Sequence, residues 1–205
     1  MSMKNLVIIP TYNEIENISK IIPQVLSYGF EVLVIDDGSP DGTADAVRGI
    51  PGVNLIERPG KMGLGTAYIT GFKWALERDY DYIFEMDADF SHNPADLPRL
   101  LEACEKGGAD YAIGSRYCNG VSVVNWPIGR ILISYFASVY VRRMLGIKIF
   151  DSTAGFLCYS RRVLETIDLD AVKMKGYGFQ IEMKYSALKL GFRPAEVPVI
   201  FVNRK

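Results

Sequence analysis

The sequence predicts an α/β fold: a mostly parallel central sheet with helices on both faces. Three observations lead there. Short β-branched runs alternate with helical patterns through the first half of the chain, and strands joined by helical crossovers pair in parallel with both sheet faces covered. At 205 residues, with 49% hydrophobic and 23% charged residues, the chain has the size of one domain and is able to bury roughly 70% of its unfolded surface. No repeat, low-complexity tract or linker interrupts it, so residues 1–205 read as a single domain.

The elements follow in order. Residues 6–9 (Leu-Val-Ile-Ile) form a first strand, and Asn13 caps a helix with Glu16 three residues on and Ile18, Ile21, Ile22 and Val25 along one face. Residues 32–35 and 53–56 are further strands. Leu64, Ala67, Tyr68, Gly71, Phe72, Ala75 and Leu76 follow the i, i+3, i+4, i+7 spacing of an amphipathic helix. Strands at 82–86 and 111–113 come next. A helix over 128–145, a strand over 156–159, a helix over 177–190 and a last strand over 196–202 complete the chain.

Charge and composition exclude several classes. Lys plus Arg is 23 and Asp plus Glu is 24, a net charge of −1, so nucleic acid is not an expected partner. Cys104, Cys118 and Cys158 lie far apart with no Cys-x-x-Cys spacing, which argues against a disulfide scaffold or zinc ribbon and fits a reducing compartment. His92 is the single histidine, which disfavours a histidine-based metal site. The N-terminus carries no signal-peptide pattern and reads as unprocessed and cytosolic. The longest uncharged apolar run, residues 131–141 between Arg130 and Arg142, falls short of the roughly 20 residues that span a bilayer.

Polar residues gather where the first, second and fourth strands end, the edge at which open parallel sheets bind ligands. These ends read Pro10-Thr11-Tyr12-Asn13-Glu14, Asp36-Asp37-Gly38-Ser39-Pro40-Asp41-Gly42-Thr43 and Asp87-Ala88-Asp89. Two carboxylates flanking a small residue suit Mg²⁺ or Mn²⁺, which take one or two carboxylates plus phosphate oxygens of a substrate. Asp37 is able to accept hydrogen bonds from a nucleobase edge, and Tyr12 to cover a base or ribose. Neither a phosphate-loop signature nor Gly-x-Gly-x-x-Gly after the first strand is present. Gly63 and Gly65 are expected to let a helix N-terminus approach a strand or a phosphate.

Taken with Gly63-Leu64-Gly65-Thr66-Ala67-Tyr68, Phe90-Ser91-His92, Gly114-Ser115-Arg116-Tyr117, Asp151-Ser152-Thr153-Ala154-Gly155-Phe156, Gly176-Tyr177-Gly178-Phe179-Gln180-Ile181-Glu182-Met183 and Glu196-Val197-Pro198, these motifs resemble, in order, the dolichyl-phosphate (polyprenyl-phosphate) mannose synthases of glycosyltransferase family 2. The resemblance implies the GT-A nucleotide-diphospho-sugar transferase fold, GDP-mannose as donor and a dolichyl or polyprenyl phosphate as acceptor. It implies that Pro10, Tyr12, Glu14, Ile35 and Asp37 hold the guanosine. Asp87, Ala88 and Asp89 would hold the metal and diphosphate, with Asp89 the principal ligand of Mg²⁺ or Mn²⁺. Arg116, Arg130, Ser134 and Arg204 would face the phosphates of donor and acceptor, the arginines pairing with them through their planar forks. In the family a Gly-Glu-Ser-Lys segment follows the last strand, whereas this chain stops at Asn203-Arg204-Lys205: by the resemblance, either the domain is trimmed at its C-terminus or the acceptor loop is missing.

The acceptor arrives as an anion, since the second pKa of a phosphate monoester is about 6. No general base is therefore demanded of Asp36, Glu182 or His92, and direct displacement with inversion is expected. The helix over 128–145, with Arg130, Arg142 and Arg143 beside apolar residues, reads equally as an interfacial helix or a buried core helix. Peripheral contact with the cytosolic face of a membrane, and a membrane-anchoring partner subunit, are the remaining partners expected. The rivals are a family 2 transferase using a UDP-sugar and a nucleotide-sugar-binding module without turnover.

Overall fold

A computed structural model describes residues 3–203. The strands and helices are, in chain order, β1 (Asn5–Thr11), α1 (Ile15–Ser27), β2 (Glu31–Asp36), α2 (Thr43–Arg48), β3 (Val53–Glu57), α3 (Leu64–Leu76), β4 (Tyr82–Glu85), α4 (Leu97–Glu105), β5 (Tyr111–Ser115), β6 (Val123–Val124), α5 (Ile128–Leu145), β7 (Leu157–Ser160), α6 (Arg161–Thr166), α7 (Tyr177–Lys189), β8 (Pro194–Pro198) and β9 (Phe201–Val202). Seven strands make one sheet in the order β3-β2-β1-β4-β7-β5-β8. All neighbours are parallel except β7, which runs antiparallel between β4 and β5. β6 and β9 pair separately beside the strand ends.

Alternation along the strands divides the core in two. Leu6, Ile8, Leu33 and Ile35 face one side and pack with Tyr68 and Phe72 of α3 and Phe179 and Met183 of α7. Val7, Ile9, Val32 and Val34 face the other, against Ile18, Ile21 and Val25 of α1 and Leu97 and Leu100 of α4. Gly71 is what lets α3 lie close to β1, since a Cβ there would stand 2.8 Å from the Ile8 side chain. Gly71→Val is expected to cost about 1–3 kcal/mol through overpacking. Urea unfolding checks this, and an unchanged midpoint would show that α3 has slack over the sheet.

Several expectations are corrected. Asn13 does not cap α1: it sits at φ 60, and its backbone N–H donates to Ser39 Oγ. Glu14 occupies the cap position without a side-chain bond. Side chains of the Asp36–Thr43 loop take over instead, Thr43 Oγ1 accepting from Glu14 N and Asp41 Oδ2 from Ile15 N. The strand expected over 196–202 divides into β8 and β9, because the chain leaves β5 after Val199, whose N–H donates to Ser115 O, and Phe201 N donates to Ser122 O near β6. Gly65 packs on a helix and not on a strand, since a Cβ there would stand 2.9 Å from the Phe179 ring of α7.

Helix α5 is not a core helix. Ser138 is its single buried residue, whereas Ile128, Ile133, Phe136, Tyr140 and Met144 are 61% to 76% exposed. No helix among the described residues is long and apolar enough to cross a membrane.

Candidate active site

The ends of β1, β4 and β5, the loop before β7, the start of α7 and β9 enclose a cleft of about 320 Å³. Of the residues expected to bind ligand, Pro10, Glu14, Asp87, Ala88, Asp89, Arg116 and Arg130 line it. Tyr12, Ile35, Asp37 and Ser134 do not, and Arg204 lies outside the described residues.

Asp87 and Asp89 follow β4 on a tight loop in which Phe90 adopts φ 58. Asp87 Oδ1 accepts from the buried Tyr68 hydroxyl at 3.4 Å, and Asp89 Oδ1 accepts from Ser91 N at 3.0 Å. His92 supports this loop from behind. Its Nδ1 accepts from Asp87 N at 3.1 Å, its ring stacks on Phe156 at 4.9 Å, and burial pushes its pKa below the ordinary value. The backbone bond to Nδ1 makes it a support of the loop that carries the two carboxylates. Asp87 and Asp89 offer oxygen donors to the cleft, and among the described residues they belong to no group of three or more His, Cys, Asp or Glu able to hold a metal by itself. Such a pair fits a hard divalent ion completed by substrate oxygens.

Arg116 lines the cleft and is also engaged within the protein. Its Nε and one terminal nitrogen donate to the two oxygens of Asp151 at 2.7 and 2.6 Å, and its backbone N–H to the same carboxylate at 2.9 Å. The fork expected to grip a phosphate thus grips Asp151, which is fully buried and needs a cation. Glu196 holds this turn in place by accepting from the N–H groups of Phe150 and Asp151.

Asp37 is engaged within the protein in the same way. Its Oδ1 accepts from Arg58 Nε at 2.6 Å and its Oδ2 from Met62 N at 3.1 Å. The pair is buried, with side chains 8% and 7% exposed, and it fastens the loop ahead of α3. Tyr12 is exposed nearby with the Lys61 ammonium 4.6 Å above its ring. The Ile35 side chain is wholly in the core, so it offers no surface to a nucleoside. Ser134 Oγ bonds the Tyr117 hydroxyl at 2.7 Å instead of facing the cleft.

The remaining candidate bases are occupied structurally. Asp36 accepts from Thr11 Oγ1, Ser39 N and Ser39 Oγ, and Glu182 from the N–H groups of Lys173 and Met174.

The structure adds residues that spacing did not nominate. Trp126, Tyr177, Gln180, Phe201 and Asn203 line the cleft. Beneath it, Gln180 donates to Glu85, and the Lys184 ammonium donates to the carbonyls of Ser152, Ala154 and Gln180 at 3.2, 2.6 and 3.2 Å. Burial pushes Glu85 up to about 7 and Lys184 down to about 8. The signal for Gln180 was its place in the Gly176–Met183 motif; an isolated Trp or Asn in a loop carries none.

A model of the family described as glycosyl transferase family 2 matches residues 6–168. The chain is 49% identical over 209 residues to the undecaprenyl-phosphate mannosyltransferase of Micrococcus luteus, spanning 99% of this chain and 85% of that one. It is also 49% identical over 216 residues to the polyprenol monophosphomannose synthase of Mycolicibacterium smegmatis, spanning 100% and 79%. Among solved structures, glucosyl-3-phosphoglycerate synthase from Mycobacterium tuberculosis in complex with Mn²⁺ and UDP-glucose is similar with a TM-score of 0.72 at 20% identity, covering 100% of this chain and 71% of that one. Mannosyl-3-phosphoglycerate synthase from Rubrobacter xylanophilus is similar with a TM-score of 0.71 at 18% identity, covering 99% and 68%. At these identities the structural likeness is one of fold.

Proposed function

This chain belongs to glycosyl transferase family 2 and has the GT-A nucleotide-diphospho-sugar transferase fold, and from that premise we propose that it moves mannose from GDP-mannose to a dolichyl or polyprenyl phosphate. The observation that carries this reading is one cleft holding paired carboxylates and two guanidiniums, in a chain alike from end to end to proteins named for polyprenyl-phosphate mannosyl transfer.

In the proposed reaction a phosphate oxygen of the acceptor forms a bond to C1 of mannose while the bond from C1 to the GDP oxygen breaks. GDP leaves with the electron pair, and the anomeric carbon is inverted. The acceptor phosphate, with its second pKa about 6, has already lost the proton that a base would remove. This agrees with the structural occupation of Asp36, Glu182 and His92. Asp87 and Asp89 are assigned as holding Mg²⁺ or Mn²⁺, which when bound neutralises charge on a diphosphate. Pro10 and Glu14 are assigned to the nucleoside side of the cleft, with the exposed Tyr12 outside its lining as a cover for the base or ribose. Arg130 is assigned to offset repulsion between the two phosphate-bearing substrates. Arg116 presents donors from a pair whose net charge Asp151 has already balanced. Transfer to dolichyl phosphate from GDP-mannose, UDP-glucose and UDP-N-acetylglucosamine tests the donor. GDP-mannose is expected to be strongly preferred, and a preference for either UDP-sugar would overturn that assignment.

The same reading places the chain peripherally on the cytosolic face of a membrane. The exposed apolar residues of α5 and the nearby Arg130, Arg142 and Arg143 suit an interface with anionic headgroups. The 205-residue chain is expected to float with phosphatidylglycerol-containing vesicles. The double variant Ile133→Glu, Phe136→Glu should partition at least about tenfold less, because each change places a charge where an apolar group met lipid. Equal flotation of parent and variant would remove α5 from the membrane contact.

A further inference from the structure

The indole of Trp126 stands in the cleft wall beside two cations. The Arg130 guanidinium lies 4.0 Å from the ring centroid, and that of Arg116 lies 5.6 Å from it. Phe201 meets the ring edge to face at 5.3 Å. The indole nitrogen is buried and has no hydrogen-bond partner among the described residues. An indole N–H is a donor only, and buried ones are almost always paired, because an unmade bond forfeits the hydration the group had in water. An unfilled donor in the wall of a cleft that carries two guanidiniums is complementary to an anionic oxygen.

We propose that Trp126 is a binding residue for the acceptor phosphate, its Nε1–H donating to a phosphate oxygen between Arg116 and Arg130. This rests on the acceptor reading above and deepens it. The charge distribution favours the acceptor's phosphate over a neutral sugar hydroxyl. Arg116 is matched by Asp151, whereas among the described residues Arg130 has no carboxylate at ion-pair distance and donates to the neutral Asn203 Oδ1 at 2.7 Å. The ring also fixes the Arg130 guanidinium by stacking, so one side chain supplies a donor and seats a cation. Asp87 and Asp89 line the same cleft and leave the donor's diphosphate another place to be held.

The test uses the full chain and calorimetry with three phosphate probes: citronellyl phosphate as a short prenyl phosphate, glycerol 3-phosphate and inorganic phosphate. GDP with Mn²⁺ is the control. Trp126→Phe keeps the ring and deletes the N–H. It is expected to weaken binding of the phosphate probe that the parent prefers by about tenfold or more, as for loss of a hydrogen bond to a charged group. GDP affinity should stay within about twofold. Trp126→Leu, which also removes the stacking platform, should weaken the same probe further. Trp126→Phe binding as tightly as the parent would overturn the assignment, as would an equal loss of GDP affinity or a parent chain that binds none of the three. A parent that prefers citronellyl phosphate supports the lipid acceptor. A parent that prefers glycerol 3-phosphate and loses it in Trp126→Phe removes the lipid acceptor and leaves the Trp126 assignment standing.

Discussion

Replacing Asp89 with alanine is expected to lower the rate of mannosyl transfer by at least about 1000-fold, with no comparable loss of fold. A rate loss of that size is about 4 kcal/mol of transition-state stabilisation, within what a metal ion supplies when it neutralises a leaving diphosphate. Asp89 lines the cleft, and its Oδ1 also accepts from Ser91 N, so alanine additionally loosens the loop. Asp89→Asn separates the two effects, because the amide oxygen is still able to accept that bond while the negative charge is gone. Both variants should lose turnover and weaken Mn²⁺ binding measured in the presence of GDP. Near-normal turnover in Asp89→Asn would make the carboxylate a loop-shaping group.

Asp37→Ala is expected to give the largest loss of stability. It strands the Arg58 guanidinium, whose side chain is 7% exposed, and a buried charge left without its partner costs about 3–5 kcal/mol. For a chain of this size that is a fall in melting temperature of roughly 6–20 °C. The loop from Arg58 to Gly63 should loosen as well, since Asp37 also accepts from Met62 N and Arg58 donates to Thr66 Oγ1 and the Gly63 carbonyl. A carboxylate has about four lone-pair positions, so Asp37 retains capacity to receive a base-edge donor on its remaining positions. A melt and a GDP titration on the same variant distinguish the roles. A large drop in melting temperature with little change in GDP affinity would make Asp37 a brace for the loop. An unchanged melting temperature would contradict the importance of the buried pair.

The strands β1, β2 and β3 and helix α3 were legible because each carries an uninterrupted pattern: β-branched runs for the strands, and the 3.6-residue spacing from Leu64 to Leu76 for the helix. The gathering of Pro10, Glu14, Asp87 and Asp89 followed from parallel strands ending on one edge. What escaped depended on partners distant in sequence. Nothing near Arg116 says that Asp151, 35 residues on, will take its fork, nor does anything near Asp37 announce Arg58, 21 residues away. Asn13 followed a sound capping rule and lost to Thr43 and Asp41, which reach α1 from another loop. The antiparallel direction of β7 and the division of β8 from β9 were hidden for a related reason. Pairing direction is settled by where the chain returns, and strand propensity is blind to that. The exposure of α5 was also beyond reach, since a helix apolar nearly all round has the same sequence signature whether protein or something else covers it.

Mannosyl transfer itself is tested most directly by incubating the full chain with labelled GDP-mannose, Mg²⁺ or Mn²⁺ and dolichyl phosphate, then following label into the organic phase and determining its anomeric configuration. The expected result is metal-dependent, organic-extractable label whose mannose is linked through phosphate with the configuration opposite to that in the donor. Label that stays wholly in the aqueous phase in the presence of metal and acceptor, or a product that retains the donor's configuration, would contradict it.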